Sequence, residues 1–288
     1  MELAQGLPQS IEKHFFGTIE ISWLKKLLHD NLIISNVETK YTSEDLVILD
    51  SYEVDFCFKV QSRFPDSRII QVADRYTFLL PNTKIIFMDL PFPYEMESIS
   101  SRVLAHGIEY LPIRSFRKHK PQFKPQAERV LVTTGGSTIQ DMTFMLAEEF
   151  SKVEYREINF NFIGLLDKSL EYSSNLRFHE LGSGFDVIAR ECDTAISTAG
   201  TTMWDLLANQ ILVGLGAIVE NQYANFDYAL QSNQALGLFA PATMNFFPGA
   251  IRALLFNEKV RSMLYEEISN RYDFMGAQRT ADVILGSI

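Results

Sequence analysis

Residues that build metal and disulfide centres are scarce in this sequence. Its 288 residues include two cysteines, Cys57 and Cys192, and so few thiols exclude a disulfide scaffold and a cysteine zinc site. The five histidines show neither the HExxH nor the HxH spacing of metal ligands, so neither a metal nor another cofactor is predicted. Sparse cysteine is typical of a reducing compartment, and we predict a cytoplasmic location.

Positive charge and long apolar runs are scarce as well. Lys and Arg total 26 against 36 Asp and Glu, which gives a formal net charge of −10. Because clustered cations are needed to neutralise nucleic-acid phosphates, this balance argues against a nucleic-acid partner. The one basic run, 114–124, lies among prolines and is interpreted as a solvated linker. No apolar run reaches the ~18 residues of a membrane span, and the polar residues after Met1 do not form a signal segment.

Short aliphatic runs alternate with helix-period segments along most of the chain. Such runs occupy 46–50, 68–72, 84–88, 130–134, 194–197 and 212–219. Strands that alternate with helices predict parallel α/β sheets. Residues 1–10 lack a strand pattern, so the first predicted strand is 14–21, with a helix from Ser22. The first domain is therefore predicted to lack the buried strand and loop that normally open such a sheet.

The length predicts two domains, because domains average ~150 residues. The best boundary is 116–128, where basic residues, glutamines and two prolines replace apolar residues. We therefore predict a Rossmann-like domain over 1–116, a linker over 117–128 and a second Rossmann-like domain over 129–288. Ligands of open parallel sheets bind beyond the carboxyl ends of the strands, so two facing sheets would form a binding cleft.

A glycine pair follows the strand predicted at 130–134. Gly135 and Gly136 allow a tight turn and a close approach to a phosphate, and Ser137 and Thr138 add hydroxyl donors before a helical segment. The backbone N–H groups that open a helix face such an anion. The alternative is that the glycines only form the turn and that Ser137 caps the helix.

A second loop of the same kind follows the strand predicted at 194–197. It contains small and hydroxyl residues in front of another helix, namely Thr198, Ala199, Gly200, Thr201 and Thr202. Two such loops in one half of the chain can converge on one anionic ligand. The alternative is again helix capping, with Trp204 packing in the core.

A third polar loop follows the apolar run at 212–219. Its carboxylate and amide residues are Glu220, Asn221, Gln222 and Asn225. Such groups suit hydrogen bonds to ribose hydroxyls or base edges. A single polar turn would not indicate a binding site. This turn is significant because it is the third strand-end loop in the same half of the chain.

The order of these motifs resembles a known family. GGST, STAGTTMWD, ENQYAN and a closing DFMGAQR at 273–279 resemble the nucleotide-sugar-binding half of the GT-B superfamily. The nearest resemblance is to the UDP-sugar hydrolases of pseudaminic acid biosynthesis and their spore-coat polysaccharide relatives. A more distant similarity is to the peptidoglycan N-acetylglucosaminyltransferases. In the first half, DLVILDSY at 45–52 and YLPIRSF at 110–116 resemble the family patterns D-x-x-x-x-D-H-Y and Y-x-L-L-R-x-x-F.

The resemblance implies a GT-B-like fold and a UDP-sugar ligand. It places the pyrophosphate at 135–138 and 200–202, and Glu220, Asn221, Gln222 and Asn225 around the ribose or the sugar. The implied reaction is the metal-independent release of a diacetamido-trideoxy sugar from UDP, with charge stabilisation by backbone dipoles.

Departures from the family pattern keep other functions open. The family's amino-terminal glycine-histidine loop has no counterpart in this sequence, and Ser51 replaces the histidine before Tyr52. Tyr52 is then the candidate catalytic hydroxyl, although a tyrosine with a pKa near ~10 is a poor base unaided. The alternatives are a GT-B glycosyltransferase that uses a UDP-sugar donor, a non-catalytic nucleotide-sugar-binding protein, and a scaffold that binds no nucleotide.

Four further polar residues carry competing interpretations. His14 lies beside two phenylalanines and is interpreted as a packed residue rather than a substitute base, and His106 and His179 are interpreted as non-catalytic. Asp74 follows the strand predicted at 68–72, so it either faces the ligand or caps a helix.

Overall fold

The computed structural model shows two compact α/β units. It describes residues 5–15, 33–34, 45–88, 90–135, 140–164, 173–180, 182, 184–239 and 245–286. Unit 1 is formed by Met1–Ile113 together with Phe274–Ile288, and unit 2 by Arg114–Asp273. Every strand pairing between named strands of the described residues is parallel, as the sequence predicts.

The described residues of unit 1 form two sheets. A two-stranded sheet pairs β1 (His14–Phe15) with β2 (Ile33–Ile34). A four-stranded sheet follows in the spatial order β3 (Leu46–Asp50), β4 (Arg68–Ala73), β5 (Lys84–Phe87) and β6 (Val103–His106). The strand predicted over 14–21 is observed at 14–15. The rest of that prediction, with the helix from Ser22, lies outside the described residues.

The four-stranded sheet of unit 1 buries apolar side chains on both faces. Helix α1 (Val54–Arg63) covers one face, where Cys57 packs with Leu49 and Leu80. Short 3₁₀ helices at Tyr94–Arg102 and Ile108–Tyr110 flank β6. Burial on both faces explains why these strands are continuous aliphatic runs rather than alternating ones.

Six parallel strands form the sheet of unit 2. They are β7 (Arg129–Thr133), β8 (Asn159–Ile163), β9 (Leu176–His179), β10 (Thr194–Thr198), β11 (Leu212–Gly216) and β12 (Ala235–Gly237). The helices among the described residues of this unit are α2 (Gln140–Phe150), α3 (Phe185–Ala189), α4 (Thr201–Ala208), α5 (Tyr223–Gln231), α6 (Pro248–Phe256) and α7 (Glu258–Ile268). Two 3₁₀ turns lie at Val153–Tyr155 and Glu220–Gln222.

The strand order gives unit 2 a defined switch point. Neighbouring strands run β12-β11-β10-β7-β8-β9. The chain therefore runs outward from β7 through β8 and β9, then returns to the other side of β7 to build β10, β11 and β12. In open α/β sheets ligands bind at such a reversal, beyond the carboxyl ends of the strands. In unit 2 this position lies between β7 and β10.

The last helix, α8 (Gly276–Gly286), belongs to unit 1, whereas the prediction assigned it to the second domain. Ile284 packs against Ile70 and Ile86 of the unit 1 sheet, and the Thr280 hydroxyl donates to the Tyr110 carbonyl at 2.8 Å. The sequence shows that this helix has an apolar face but does not show which sheet that face covers.

The segment predicted as a linker lies in unit 2. The Ala127 N–H donates to the Leu255 carbonyl at 2.8 Å. Arg261 donates to the Lys124 carbonyl at 2.9 Å, and the Tyr265 hydroxyl donates to that of Pro121, also at 2.9 Å. Backbone groups within 117–128 are therefore fixed to helices α6 and α7. Because these partners lie more than a hundred residues away, local composition does not reveal them.

Candidate functional site

Three loops lie at the carboxyl edge of the unit 2 sheet. One follows β7, one joins β10 to α4, and one joins β11 to α5. Because β10 lies between β7 and β11, these loops follow adjacent strands. The sheet order thus brings the three loops that the sequence singles out to one edge.

Gly135 contacts the loop after β10. It adopts a left-handed backbone with φ +84°, which favours glycine. A Cβ built on Gly135 would lie 3.7 Å from Thr202 Oγ1 and 4.0 Å from Thr198 Oγ1. The Thr198 hydroxyl also donates to the Thr134 carbonyl at 3.2 Å. The first two predicted loops therefore converge at the switch point, while Gly136, Ser137 and Thr138 lie outside the described residues.

Helix α4 begins at the same place without a side-chain cap. Its N-cap residue is Gly200, in extended conformation, and no described heavy atom lies within 4 Å of a Cβ built there. The Ala199 N–H is already bonded to the Gly216 carbonyl at 2.9 Å. Thr201 is exposed and Thr202 is half-buried. No side chain therefore caps α4 in this loop, and the positive end of the α4 dipole lies at Gly200.

The polar residues that follow β11 differ in their exposure and in their hydrogen bonds. Glu220 is exposed, and Asn221 is half-buried in the 3₁₀ turn. Gln222 accepts the Ile218 N–H through its side-chain oxygen at 3.0 Å, so it closes the loop. Asn225 is 8% exposed, and its Oδ1 has no hydrogen-bond partner among the described residues. A buried acceptor left unpaired costs about 1–3 kcal/mol, which a ligand donor would recover.

The residues MWD of the second motif make contacts within unit 2 that hold helix α4 in place. Trp204 is buried and meets the Tyr228 ring edge-on, with centroids 6.1 Å apart. Asp205 accepts the Arg114 N–H at 2.9 Å and its Nε at 2.8 Å. Burial raises the pKa of the Asp205 carboxyl, and Arg114 partly offsets that rise. The solvated-linker interpretation is wrong for Arg114, which is bonded to α4.

Asn209, at the end of α4, fixes the residues that follow Arg114. Its Oδ1 accepts the backbone N–H groups of Phe116 and Arg117 at 3.0 and 3.1 Å. Its Nδ2 donates to the Arg114 carbonyl at 2.8 Å. Sequence reasoning missed these anchoring residues, and the available signal was an acidic residue, Asp205, within an otherwise apolar helix.

Tyr52, the predicted catalytic residue, lies in unit 1. Its side chain is 55% exposed, and its hydroxyl donates to Asp74 Oδ2 at 2.5 Å. Asp74 is buried and closes a turn, because its Oδ1 accepts the Tyr76 N–H at 2.8 Å and the Thr77 hydroxyl at 3.0 Å. Asp74 therefore does not cap a helix. Asp50 ends the adjacent strand, and burial together with the charge of Asp74 raises the pKa of its carboxyl.

Three of the described histidines have local partners. His14 is paired with Glu12 rather than only packed among phenylalanines. The His106 ring lies 5.2 Å from that of Phe92. His179 shares a hydrogen bond with Asn161 at 3.1 Å, and burial and the nearby Arg177 lower the pKa of its imidazole.

The described residues contain neither a cluster of metal ligands nor a membrane-spanning helix. No group of three or more His, Cys, Asp or Glu residues there could hold a metal ion. No helix in that part of the chain is long and apolar enough to cross a membrane.

Solved structures identify the fold. The crystal structure of the kitacinnamycin glycosyltransferase matches with a TM-score of 0.56 at 14% identity, covering 84% of this chain and 75% of the other. A protein described as a UDP-N-acetylglucosamine 2-epimerase from Listeria monocytogenes matches with 0.60 at 8% identity, covering 91% and 86%. The calicheamicin glycosyltransferase matches with 0.52 at 14% identity, covering 91% and 75%.

The chain has a GT-B-type fold. This confirms the predicted class of two Rossmann-like parallel-sheet domains. No protein-family model matches the sequence, and no curated protein matches it either. At these identities the likeness extends to the fold alone.

Proposed function

We propose that this chain binds a UDP-sugar at the carboxyl edge of the unit 2 sheet and hydrolyses the bond between the sugar and UDP. The observation that carries the proposal is the convergence of Gly135 with Thr198 and Thr202 at the switch point. The N-cap residue of α4 is Gly200, which supplies no side-chain hydrogen bond to the helix. The Gly135 N–H donates to the Thr133 hydroxyl and the Thr198 hydroxyl donates to the Thr134 carbonyl, so the Thr202 hydroxyl and the first backbone N–H groups of α4 are the donors proposed for an anion.

The pyrophosphate would lie between the loop after β7 and the start of α4. Its proposed partners are Gly135, Gly136, Ser137, Thr138, Gly200, Thr201 and Thr202. The protein carries a net charge of −10, so local dipoles rather than overall charge must attract the ligand. Backbone N–H groups and a helix N-terminus provide this attraction without a metal ion.

The ribose and the sugar would contact the loop after β11. The unpaired Oδ1 of Asn225 accepts from a hydroxyl donor, and Glu220 and Asn221 offer further acceptors. Gln222 would contribute through its amide nitrogen, because its oxygen holds the Ile218 N–H. The structural neighbour described as a UDP-N-acetylglucosamine 2-epimerase supports a UDP-sugar as the ligand.

The hydrolytic reaction follows from the resemblance of the motifs rather than from the fold. Its substrate would be a UDP-linked diacetamido-trideoxy sugar, and Tyr52 is the proposed catalytic residue. The departing UDP carries negative charge, which the dipoles at the pyrophosphate stabilise. Transfer of the sugar to an acceptor is the second candidate, favoured by the kitacinnamycin and calicheamicin glycosyltransferases, which are structural neighbours.

A nucleotide series followed by a turnover assay tests this function. Thermal unfolding is measured with UDP, UMP, CMP, ADP and GDP, because a ligand at 100 times its dissociation constant stabilises a fold by about 2.7 kcal/mol. Stabilisation by UDP, and release of UDP from the amino-sugar nucleotide without an acceptor, are expected. Release only when an acceptor is present would indicate the transferase. No stabilisation by any nucleotide would overturn the proposal.

A further inference from the structure

The amino ends of helices α4 and α5 lie beside each other in unit 2. The two helices follow the adjacent parallel strands β10 and β11, so they run in the same direction. Trp204 of α4 contacts the Tyr228 ring of α5, with ring centroids 6.1 Å apart. Thr201 and Asn225 each lie three residues earlier, about one helical turn closer to the carboxyl edge of the sheet. Asn225 is therefore next to the start of α4, which no side chain caps.

The groups that this region offers to a ligand carry partial charges. Its donors are the Thr202 hydroxyl and the first backbone N–H groups of α4, and the amino end of a helix is equivalent to about half a positive charge. Asn225 is buried, and its Oδ1 has no hydrogen-bond partner among the described residues. That oxygen accepts from a ligand hydroxyl and repels a phosphate oxygen. The region therefore suits a ligand of modest negative charge that also carries hydroxyl groups.

Carboxylates flank this region on both sides along the carboxyl edge. Glu220 follows β11 on one side, and Glu180 follows β9 at the other end of the sheet. Both side chains are exposed. The connection after β8 contains Asp167, Lys168 and Glu171, which lie outside the described residues and sum to one negative charge. A strongly anionic ligand is thus repelled by the acids that surround its binding groups.

We propose that this edge selects its ligand by charge and binds the pyrophosphate diester of a sugar nucleotide in preference to free UDP. This inference rests on the proposed function. A diester pyrophosphate carries two negative charges, whereas free UDP gains a third above a pKa of about 6. The third charge must leave water near Glu220 and the Asn225 oxygen, and the helix dipole offsets only about half a charge.

This preference favours turnover. Hydrolysis joins the hydroxyl of water to the anomeric carbon, leaves the electron pair of the broken C–O bond on UDP, and releases a proton to solvent. The bound nucleotide therefore gains its third charge at the moment of cleavage. The site holds the substrate more tightly than the nucleotide that it releases, and UDP is a weak inhibitor.

Two ligands that differ by this one charge test the proposal. UDP and its β-methyl ester share the base, the ribose and the pyrophosphate, and at pH 8 they carry three and two negative charges. Titration calorimetry compares them at ionic strengths of about 0.02 and 0.5 M. At the lower value the ester is expected to bind about tenfold more tightly, because unit charges near a protein surface interact with energies of this order. At the higher value the ratio is expected to fall below about threefold, because salt screens the repulsion.

Glu220→Gln removes one flanking charge and keeps the shape of the side chain. At low ionic strength we expect it to reduce the ratio to about threefold, through tighter binding of UDP. Glu258→Gln is the matched control, because Glu258 is an exposed acid at the start of α7. Leu255, three residues before it, is bonded to Ala127, which lies just before β7 at the amino edge of the sheet. This control is expected to keep the tenfold ratio.

The outcomes separate charge selection from the proposed function. Equal affinities at both ionic strengths, or tighter binding of UDP, overturn charge selection and leave the UDP site standing. A ratio that does not change with salt also overturns it, because the preference would then come from contact with the methyl group. A full tenfold ratio in Glu220→Gln overturns the role of Glu220. Binding of neither ligand overturns the proposed function together with this inference.

Discussion

Asp205 of α4 accepts hydrogen bonds from both the backbone and the side chain of Arg114, the first residue of unit 2. The Arg114 N–H reaches Asp205 Oδ1 at 2.9 Å, and its Nη2 reaches Oδ2 at 2.7 Å. The guanidinium also lies 5.5 Å from the centre of the Phe185 ring. Helix α4 is thus anchored at its middle to Arg114. The amino end of this helix is where the pyrophosphate is proposed to bind.

We expect Asp205→Ala to destabilise unit 2. Removing one member of a buried ion pair costs about 3–5 kcal/mol, and about 2 kcal/mol is expected here because the Arg114 side chain is 36% exposed. Urea unfolding measures the change. Asp227→Ala, which alters an exposed acid on α5, is expected to leave the midpoint unchanged, and equal midpoints for the two variants would disprove the anchoring role of Asp205.

Cys192 is expected to make stability fall at alkaline pH. Burial and the adjacent Asp193 raise the pKa of its thiol to about 12 from an ordinary 9.0. Because the folded-state value is the higher one, the contribution of the neutral thiol is fully present below pH 9 and is lost as the pH rises towards 12. Cys192→Ala should flatten the decline in unfolding free energy between pH 9 and 10.5. The same slope in both proteins would contradict the expected linkage.

Both thiols are also expected to be inert in the folded protein. Cys57 and Cys192 are buried, and burial raises the pKa of each. A disulfide reagent at pH 8 should therefore modify no thiol until denaturant is added, when two react. Rapid reaction of a native thiol would show that one of these sites opens readily.

Gly276→Ala tests the assignment of α8 to unit 1. A Cβ on Gly276 would lie 1.9 Å from the Leu111 carbonyl oxygen, so the helix must shift. We expect a loss of about 3 kcal/mol, as for severe overpacking. Gly286→Ala on the same helix meets open space and serves as the control. Equal unfolding midpoints for the two variants would contradict the observed packing.

The parts of the fold that depend on local sequence were predictable. Strands β10 and β11 are buried along their whole length, and the absence of charged residues from both is typical of inner parallel strands. The unit against which α8 packs was not predictable from the sequence, because Leu111 and Ile70, which it contacts, are far from it along the chain.

In the candidate site, too, some features follow from local sequence and others depend on residues that are distant in the chain. The glycine and threonine loops were predictable as strand-to-helix connections, and their meeting at Gly135 follows from the strand order. The pairing of Asp205 with a partner 91 residues earlier has no local signal. Asp74 was equally consistent with a helix cap, because closing a turn and capping a helix both use an acid at a strand end.

Titration calorimetry of UDP against Gly200→Ala tests the central claim most directly. A methyl group at Gly200 meets no described atom of the protein, but it would occupy the space in front of α4 where the pyrophosphate is proposed to lie. Gly249→Ala, also in open space, is the control. We predict that UDP binds the wild type and Gly249→Ala alike, and binds Gly200→Ala about 30-fold more weakly, a loss of about 2 kcal/mol. Equal UDP affinity in all three proteins, or no binding to the wild type, would contradict the proposed site.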